Sequence, residues 1–187
     1  MRNRWIFALL VLAPIPAGAA ELNGSVQAAG KSTEYAVVWL DASGAPTSQA
    51  RQAVLDQRNL SFEPRVMAVR VGTTVDFPNH DKVFHNVFSF RDGRRFDLGM
   101  YPAGTAKQIV FDRPGVHRIF CNIHPHMAAY VIAVETPFFA VSDEHGAFAI
   151  ADVPAGTYTY HAWKPGSPVM TGTVVVDQSH TLTIQWQ

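Results

Sequence analysis

Hydrophobic and polar residues alternate with a period of two along most of this chain. Such alternation is typical of β-strands, because successive side chains point to opposite faces of a sheet. Glycine, proline and asparagine close many of the runs, as at Gly72 and at Pro78-Asn79. The runs recur at residues 35–40, 66–71, 73–77, 83–90, 108–111, 116–121 and 128–135. Many short strands separated by turn signals predict an all-β protein, with one short helix expected between Thr47 and Asp56.

Further strands are predicted after Glu135, where the composition changes. They are expected at residues 137–141, 147–150, 157–163 and 171–186. Turn residues punctuate them at 143–146 and 153–156. This tail is too long to be the closing strand of a single domain, so the pattern predicts a second, small β-sandwich.

The first twenty residues have the pattern of a secretory signal peptide. Arg2 and Arg4 form a positive start, residues 5–13 are apolar, and small residues lead into Glu21. Residues 1–20 are therefore expected to be removed, which predicts a periplasmic protein. An uncleaved anchor is the alternative, although the apolar run is shorter than the roughly 20 residues that a spanning helix needs. No later segment is long and apolar enough to cross a membrane, so the mature protein is not expected to span one.

Charge and cysteine content narrow the classes of function. Without Arg2 and Arg4 the chain carries 13 basic and 15 acidic side chains, a net charge near −2. A nucleic-acid partner is not expected, because phosphate binding requires a clustered basic surface. The single cysteine, Cys121, cannot form an internal disulfide. A lone thiol in an oxidising compartment is a liability unless it is buried or bound to a metal ion.

Two segments carry the residues with chemistry. One ends in His85-Asn86, and the other contains Cys121, His124 and Met127 at regular three-residue intervals. Thiolate, thioether and imidazole together form a copper-selective set, whereas zinc sites rarely use methionine. The second segment supplies one histidine to a short loop, so a second must come from elsewhere, and His85 is the best placed. Two histidines and one cysteine with a weak axial methionine define blue-copper sites.

The same two segments resemble the cupredoxin family, especially its plastocyanin- and amicyanin-like members. The upstream match is Asn79 with His85-Asn86, and the downstream match is Cys-x-x-His-x-x-Met over residues 121–127. The resemblance covers roughly residues 53–135. It implies a Greek-key β-sandwich and one copper ion that cycles between Cu(I) and Cu(II).

The resemblance also implies a role for each matching residue. His85, Cys121 and His124 would be the strong copper ligands, and Met127 the weak axial ligand. Asn86 would connect the two ligand loops by a hydrogen bond and help to set the potential.

Several site residues keep a second interpretation. Cys121 alone would be an ordinary small core residue, and Met127 alone would be core packing. Asn86 alone would be an ordinary turn residue. His126, between Pro125 and Met127, departs from the family pattern; it is a possible extra ligand, a site for another ion, or a solvent-facing side chain.

The C-terminal tail resembles a different family, the carboxypeptidase regulatory-like β-sandwich. Residues 139–150 and 152–158 carry that resemblance. The repeat normally begins with strands of the kind seen at Gly24-Ser-Val26 and at residues 36–40. The resemblance implies a discontinuous sandwich made of residues 21–52 and 136–187, with the cupredoxin domain of residues 53–135 inserted between them.

These observations predict a periplasmic type 1 copper protein that passes single electrons between redox protein partners. The cupredoxin resemblance implies that the ring edge of His124 is the point of exchange. An enzyme is not expected, because oxygen or nitrite chemistry needs a further copper centre. Two other functions remain open. One is copper binding and delivery, in which His126 assists exchange. The other is a non-redox docking module. A basic turn at Arg91, Arg94 and Arg95 fits either an acidic redox partner or a solvated loop.

Overall fold

A computed structural model describes residues 19–29, 31–42, 52–90, 95–177 and 181–186. All regular structure in these ranges is β. The strands are β1 (Ala19–Ala28), β2 (Lys31–Ser32), β3 (Val37–Leu40), β4 (Gln52–Val54), β5 (Asp56–Arg58), β6 (Ser61–Glu63), β7 (Val66–Arg70), β8 (Thr73–Pro78) and β9 (His85–Ser89). They continue with β10 (Phe96–Tyr101), β11 (Ala106–Phe111), β12 (Gly115–Phe120), β13 (Ala128–Val134), β14 (Phe139–Val141), β15 (Ala147–Pro154), β16 (Gly156–Trp163), β17 (Met170–Val176) and β18 (Thr181–Trp186).

Strands β4 to β13 form a central sandwich. One sheet has the order β10-β9-β12-β13-β7, the other has the order β11-β8-β4, and β5 and β6 form a separate hairpin. The predicted alternation places one face of each strand in the core, as in β8, where Thr73, Val75 and Phe77 are buried and the residues between them are not. Ile119 and Val131 meet the same core from the larger sheet. The all-β sandwich expected from the sequence is confirmed.

Strands β1 to β3 and β14 to β18 form a flanking sandwich. Its sheets have the orders β15-β1-β18, with β2 beside β1, and β14-β3-β16-β17. Strand β1 pairs antiparallel with β15 and parallel with β18, so the N-terminal strand lies between two C-terminal ones. Gly24 allows this close approach, because a Cβ there would lie 2.4 Å from the carbonyl oxygen of Leu182. The chain therefore leaves this sandwich and returns to it.

The two sandwiches pack against each other through a shared apolar cluster. Val37 and Trp163 of the flanking sandwich meet Val66, Ile132 and Val134 of the central one. Strand β13 is thus covered on both faces, which explains why its sequence is apolar throughout rather than alternating.

The prediction of a helix between Thr47 and Asp56 is wrong for residues 52–56, which the structure describes. Gln52–Val54 form strand β4, which pairs in parallel with β8, and Asp56 begins strand β5. The edge of the smaller sheet recruits this segment, so tertiary pairing overrides the weak helical pattern. Residues 47–51 lie outside the described part of the chain.

Two other predictions involve residues that the structure does not describe. The predicted signal peptide lies outside the described residues up to position 18, and Ala19 and Ala20 belong to β1. Arg91 and Arg94 of the basic turn also lie outside. The described residues contain no helix of the length and apolarity that a membrane crossing requires.

Replacement of Val131 by alanine should lower the free energy of unfolding by about 1.5–3 kcal/mol, because it removes buried methyl groups and leaves a cavity. Val131 is fully buried, whereas Val110 is 43% exposed. Val110→Ala is therefore the matched control and should change stability by less than about 0.5 kcal/mol. Urea unfolding of both variants checks this. Equal losses would contradict the assignment of Val131 to the core.

Candidate metal centre

The register of two strands closes a short loop at one end of the central sandwich. Phe120 of β12 and Ala128 of β13 are paired across the sheet, so residues 121–127 must connect adjacent positions. Within this loop the backbone N–H of Cys121 donates to the carbonyl of Met127 at 3.3 Å. The N–H of Met127 donates to the carbonyl of His124 at 2.8 Å. These two bonds fold the loop over the end of the core.

The neighbouring strand β9 supplies the remaining histidine. Phe88 of β9 pairs with Phe120, which places the start of β9 beside the loop. His85 is the first residue of β9, and its ring is fully buried. The sheet topology therefore brings together two segments that are 36 residues apart in the sequence.

Three side chains converge on one point. Nδ1 of His85 and Nδ1 of His124 each lie 3.8 Å from Sγ of Cys121, and the two nitrogens are 3.1 Å apart. The imidazole rings approach edge to face, with centroids 4.8 Å apart. His85, Cys121 and His124 form a candidate metal site in which each offers one ligand atom.

These separations fit a single small metal ion. Using distances typical of zinc, about 2.0 Å to nitrogen and about 2.3 Å to thiolate, a trigonal set places its nitrogens about 3.5 Å apart and each nitrogen about 3.7 Å from the sulfur. The observed nitrogen–sulfur distances agree, and the nitrogen–nitrogen distance is slightly shorter. Two imidazoles and a thiolate are the donor set of a blue-copper site.

The site is largely sealed from solvent. Cys121 and Met127 are 3% and 1% exposed, and both belong to the apolar core of the central sandwich. His124 is only partly buried and forms the outer wall. Met127 thus lies in the same core cluster as Cys121.

Asn86 connects the two ligand-bearing segments. Its side-chain oxygen accepts a hydrogen bond from the backbone N–H of Asn122 at 2.7 Å, and Asn86 is itself buried. Because Asn122 follows Cys121, this bond fixes the loop that carries the thiol relative to the strand that carries His85. This is the contact that the family resemblance implied.

Asp81 contributes a contact that the sequence analysis missed. Its carboxylate accepts a hydrogen bond from Nε2 of His85 at 2.8 Å. A carboxylate only accepts, so the ring proton must be on Nε2, which leaves Nδ1 as the atom facing Cys121. The spacing of Asp81 four residues before a ligand histidine was the available signal.

The same carboxylate anchors the β5–β6 hairpin. It accepts hydrogen bonds from the backbone N–H groups of Asn59 and Leu60 at 2.7 and 3.0 Å. Both residues have positive φ angles, near 54° and 56°, as a two-residue hairpin turn of this kind requires. Burial alone raises the pKa of Asp81, but the hydrogen bonds from His85, Leu60 and Asn59 outweigh it and hold the pKa below its usual value.

A polar network supports the loop that precedes His85. Asn79 is buried, and its side-chain N–H groups donate to the carbonyls of Val83 at 2.8 Å and of Tyr101 at 3.4 Å. The hydroxyl of Tyr101 donates to the carbonyl of Phe77 at 3.0 Å and accepts from the side-chain amide of Gln57. Burial raises the pKa of Tyr101 to about 12, so this phenol stays neutral.

His126 lies outside the convergent group. It is exposed, and its ring centroid is 6.2 Å from that of His124. It lines a surface cavity of about 330 Å³ together with Ser61 and Arg65. The other described histidines have partners elsewhere; His80, for example, pairs with Asp56 at 2.7 Å.

Comparison with known proteins assigns a family to the central sandwich. Residues 49–135 match the family model for copper binding proteins of the plastocyanin/azurin family. Together with the thiolate and two imidazoles, this match decides the assignment. The central sandwich is a copper-binding cupredoxin domain.

Solved structures with similar folds cover about half of the chain. A copper-containing nitrite reductase from Thermus scotoductus is 26% identical over 51% of this chain and 25% of its own, with a TM-score of 0.44. A purple cupredoxin from Nitrosopumilus maritimus is 24% identical over 44% of this chain and 99% of its own, with a TM-score of 0.41. A Cu(I) amicyanin mutant is 23% identical over 44% of this chain and 82% of its own, with a TM-score of 0.42. This chain therefore spans a quarter of the nitrite reductase. No curated protein matches it significantly.

The flanking sandwich matches a different family model. Residues 135–184 match polysaccharide lyase family 4, domain II. The second β domain predicted from the sequence is thus confirmed, and the model that matches it differs from the carboxypeptidase regulatory-like repeat that its sequence resembles.

Asp81→Asn should weaken copper(II) binding by about 10–100-fold, because the amide cannot supply the negative charge that strengthens His85 as a donor. Competition with a chelator of known affinity measures the change. Asp97→Asn is the matched control, since the carboxylate of Asp97 accepts a hydrogen bond from the N–H of Gly99 instead. Equal copper affinities of the wild type and Asp81→Asn would contradict the proposed contribution of this carboxylate.

Proposed function

We propose that this protein is a periplasmic type 1 copper protein that carries single electrons between redox proteins, rather than an enzyme. The convergence of His85, Cys121 and His124 in a nearly sealed pocket supports this function most directly. Copper, when bound there, supplies a one-electron couple between Cu(II) and Cu(I).

The surrounding protein favours electron transfer by holding the ligands still. His85 is fixed by Asp81, the loop carrying Cys121 is fixed by Asn86, and Met127 and His124 share a backbone hydrogen bond. Ligands held in this way move little between the two oxidation states, and a small reorganisation favours rapid transfer.

Exposed apolar side chains adjoin the segments that carry the candidate ligands. This collar, as we name it, consists of large apolar side chains that adjoin the ligand segments: Val83, Phe84, Met100 and Ile123. Met100 pairs with Asn86 across the sheet, and Ile123 precedes His124. Contiguous exposed apolar residues are typical of protein interaction sites. The collar would let a redox partner approach the ring edge of His124 with little water between them.

Voltammetry of the copper-loaded protein tests the proposed function. A reversible one-electron wave that survives many cycles without loss of copper is expected. Loss of the metal on each reduction would refute the electron-carrier function.

Met100→Lys should slow electron self-exchange at least tenfold at low ionic strength, because two equally charged collars repel each other when two molecules meet. Added salt should restore much of the rate, and the visible spectrum should not change. Val175→Lys, on an exposed position of the flanking sandwich, is the control and should leave the rate nearly unaltered. An unchanged self-exchange rate in Met100→Lys would place the point of exchange elsewhere.

Copper delivery is the second candidate function, and the position of His126 favours it. An exposed imidazole near His124 offers an entering or leaving metal ion a temporary ligand. Rapid transfer of copper to a mild chelator, slowed by His126→Ala, would favour delivery. Slow transfer in both proteins would favour the electron carrier.

The periplasmic location depends on the leader at residues 1–20. The mass of the protein recovered from a bacterial host with a periplasm tests it. Cleavage before Glu21 supports export, and an intact N-terminus in the cytoplasm contradicts it.

A further inference from the structure

A groove runs between the two sandwiches, and none of the candidate copper ligands lines it. It contains a cavity of about 560 Å³ lined by Arg118, Tyr130 and Trp163, with the loop of residues 166–169 as its outer rim. A second cavity of about 360 Å³ continues it and shares Val116 and Val169. Cavities of this size between domains are typical places for small ligands.

Arg118 stands out among the residues that line this groove. Strand β12 directs Ile119 into the core, so its neighbour Arg118 lies on the opposite face of the sheet. The guanidinium rests on the rings of Phe120 and Tyr130, 4.6 and 5.7 Å from their centroids. No described residue accepts a hydrogen bond from it or forms an ion pair with it, and its Nε is buried without a partner among the described residues.

A half-buried guanidinium to which no described residue offers an acceptor favours an anionic ligand. Arginine binds carboxylates through two parallel hydrogen bonds, which are stronger than bonds between neutral groups. The acidic side chains of the groove, Asp41 and Glu135, line the second cavity, and Asp41 is already paired with His161 at 2.9 Å. An anionic group is therefore favoured at the end of the groove that holds Arg118.

The remaining lining is apolar and aromatic. Tyr130 and Trp163 pack with ring centroids 5.0 Å apart, and Pro168 and Val169 lie on the rim. A ligand that is anionic at one end and a flat apolar ring at the other would match both features.

We propose that this groove binds an organic carboxylate whose body is an apolar ring, with the carboxylate on the guanidinium of Arg118 and the ring between Tyr130, Trp163 and the rim. Nothing in this proposal depends on copper or on electron transfer. It gives the flanking sandwich a function of its own, since Trp163 and the rim belong to that sandwich.

Calorimetric titration of the whole protein with benzoate tests the proposal. Saturable binding to one site is expected in the millimolar range, as suits a ligand of so few atoms. Acetate, which lacks the ring, should bind at least tenfold more weakly, and benzylamine, which reverses the charge, should not bind. The indole N–H resonance of Trp163 should shift on addition of benzoate.

Two substitutions and their matched controls locate the site. Arg118→Met keeps the length of the side chain over the rings but removes the charge, and it should weaken benzoate binding at least tenfold. Val169→Asp places a negative charge on an exposed rim position. It should also weaken benzoate binding at least tenfold, without affecting the core. Arg113→Met and Val175→Asp make the same changes at exposed positions outside the groove and should not alter binding.

Either of two results would overturn the proposal. One is the absence of saturation by about 20 mM benzoate, far above the range expected for specific binding of such a ligand. The other is equal binding by the wild type, Arg118→Met and Val169→Asp, which would show that benzoate binds elsewhere.

Discussion

The pairing of Phe120 with Ala128 is the constraint on which the metal centre depends. Since these two residues are neighbours across strands β12 and β13, residues 121–127 have to turn back within a few ångströms. The thiol, one imidazole and the thioether sulfur all belong to this one loop. The adjacent strand then brings the second imidazole, because Phe88 pairs with the same Phe120. Sheet register therefore brings the three residues of the candidate metal site, His85, Cys121 and His124, together.

The flanking sandwich packs against the other face of the same sheet. Strand β12 ends at Phe120, directly before Cys121, and its outward residues Val116 and Arg118 line the groove between the sandwiches. Strand β13 is buried on both faces, so the sheet that positions the copper ligands is itself supported from outside. The two sandwiches thus share an apolar cluster behind the strands that flank the loop of residues 121–127.

Much of the copper site could be predicted from the sequence, because its ligands follow a spacing that strands and a short loop impose. Asp81 is not part of that spacing, and its contacts with His85 and with the turn of the β5–β6 hairpin depend on the tertiary structure. The local sequence around Gln52–Val54 does not predict its strand, because the strand forms by pairing with β8, which lies about 20 residues further along the chain. The uninterrupted apolar sequence of β13 is the feature of the sequence that indicates packing on both faces of this strand.

The most direct test of the central claim is a titration of the metal-free protein with Cu(II), followed by visible absorption and electron paramagnetic resonance, alongside Cys121→Ser. The account predicts an intense thiolate-to-copper absorption band that saturates at one equivalent and is absent from the variant. A colourless copper complex, or the same spectrum without the thiol of Cys121, would contradict it.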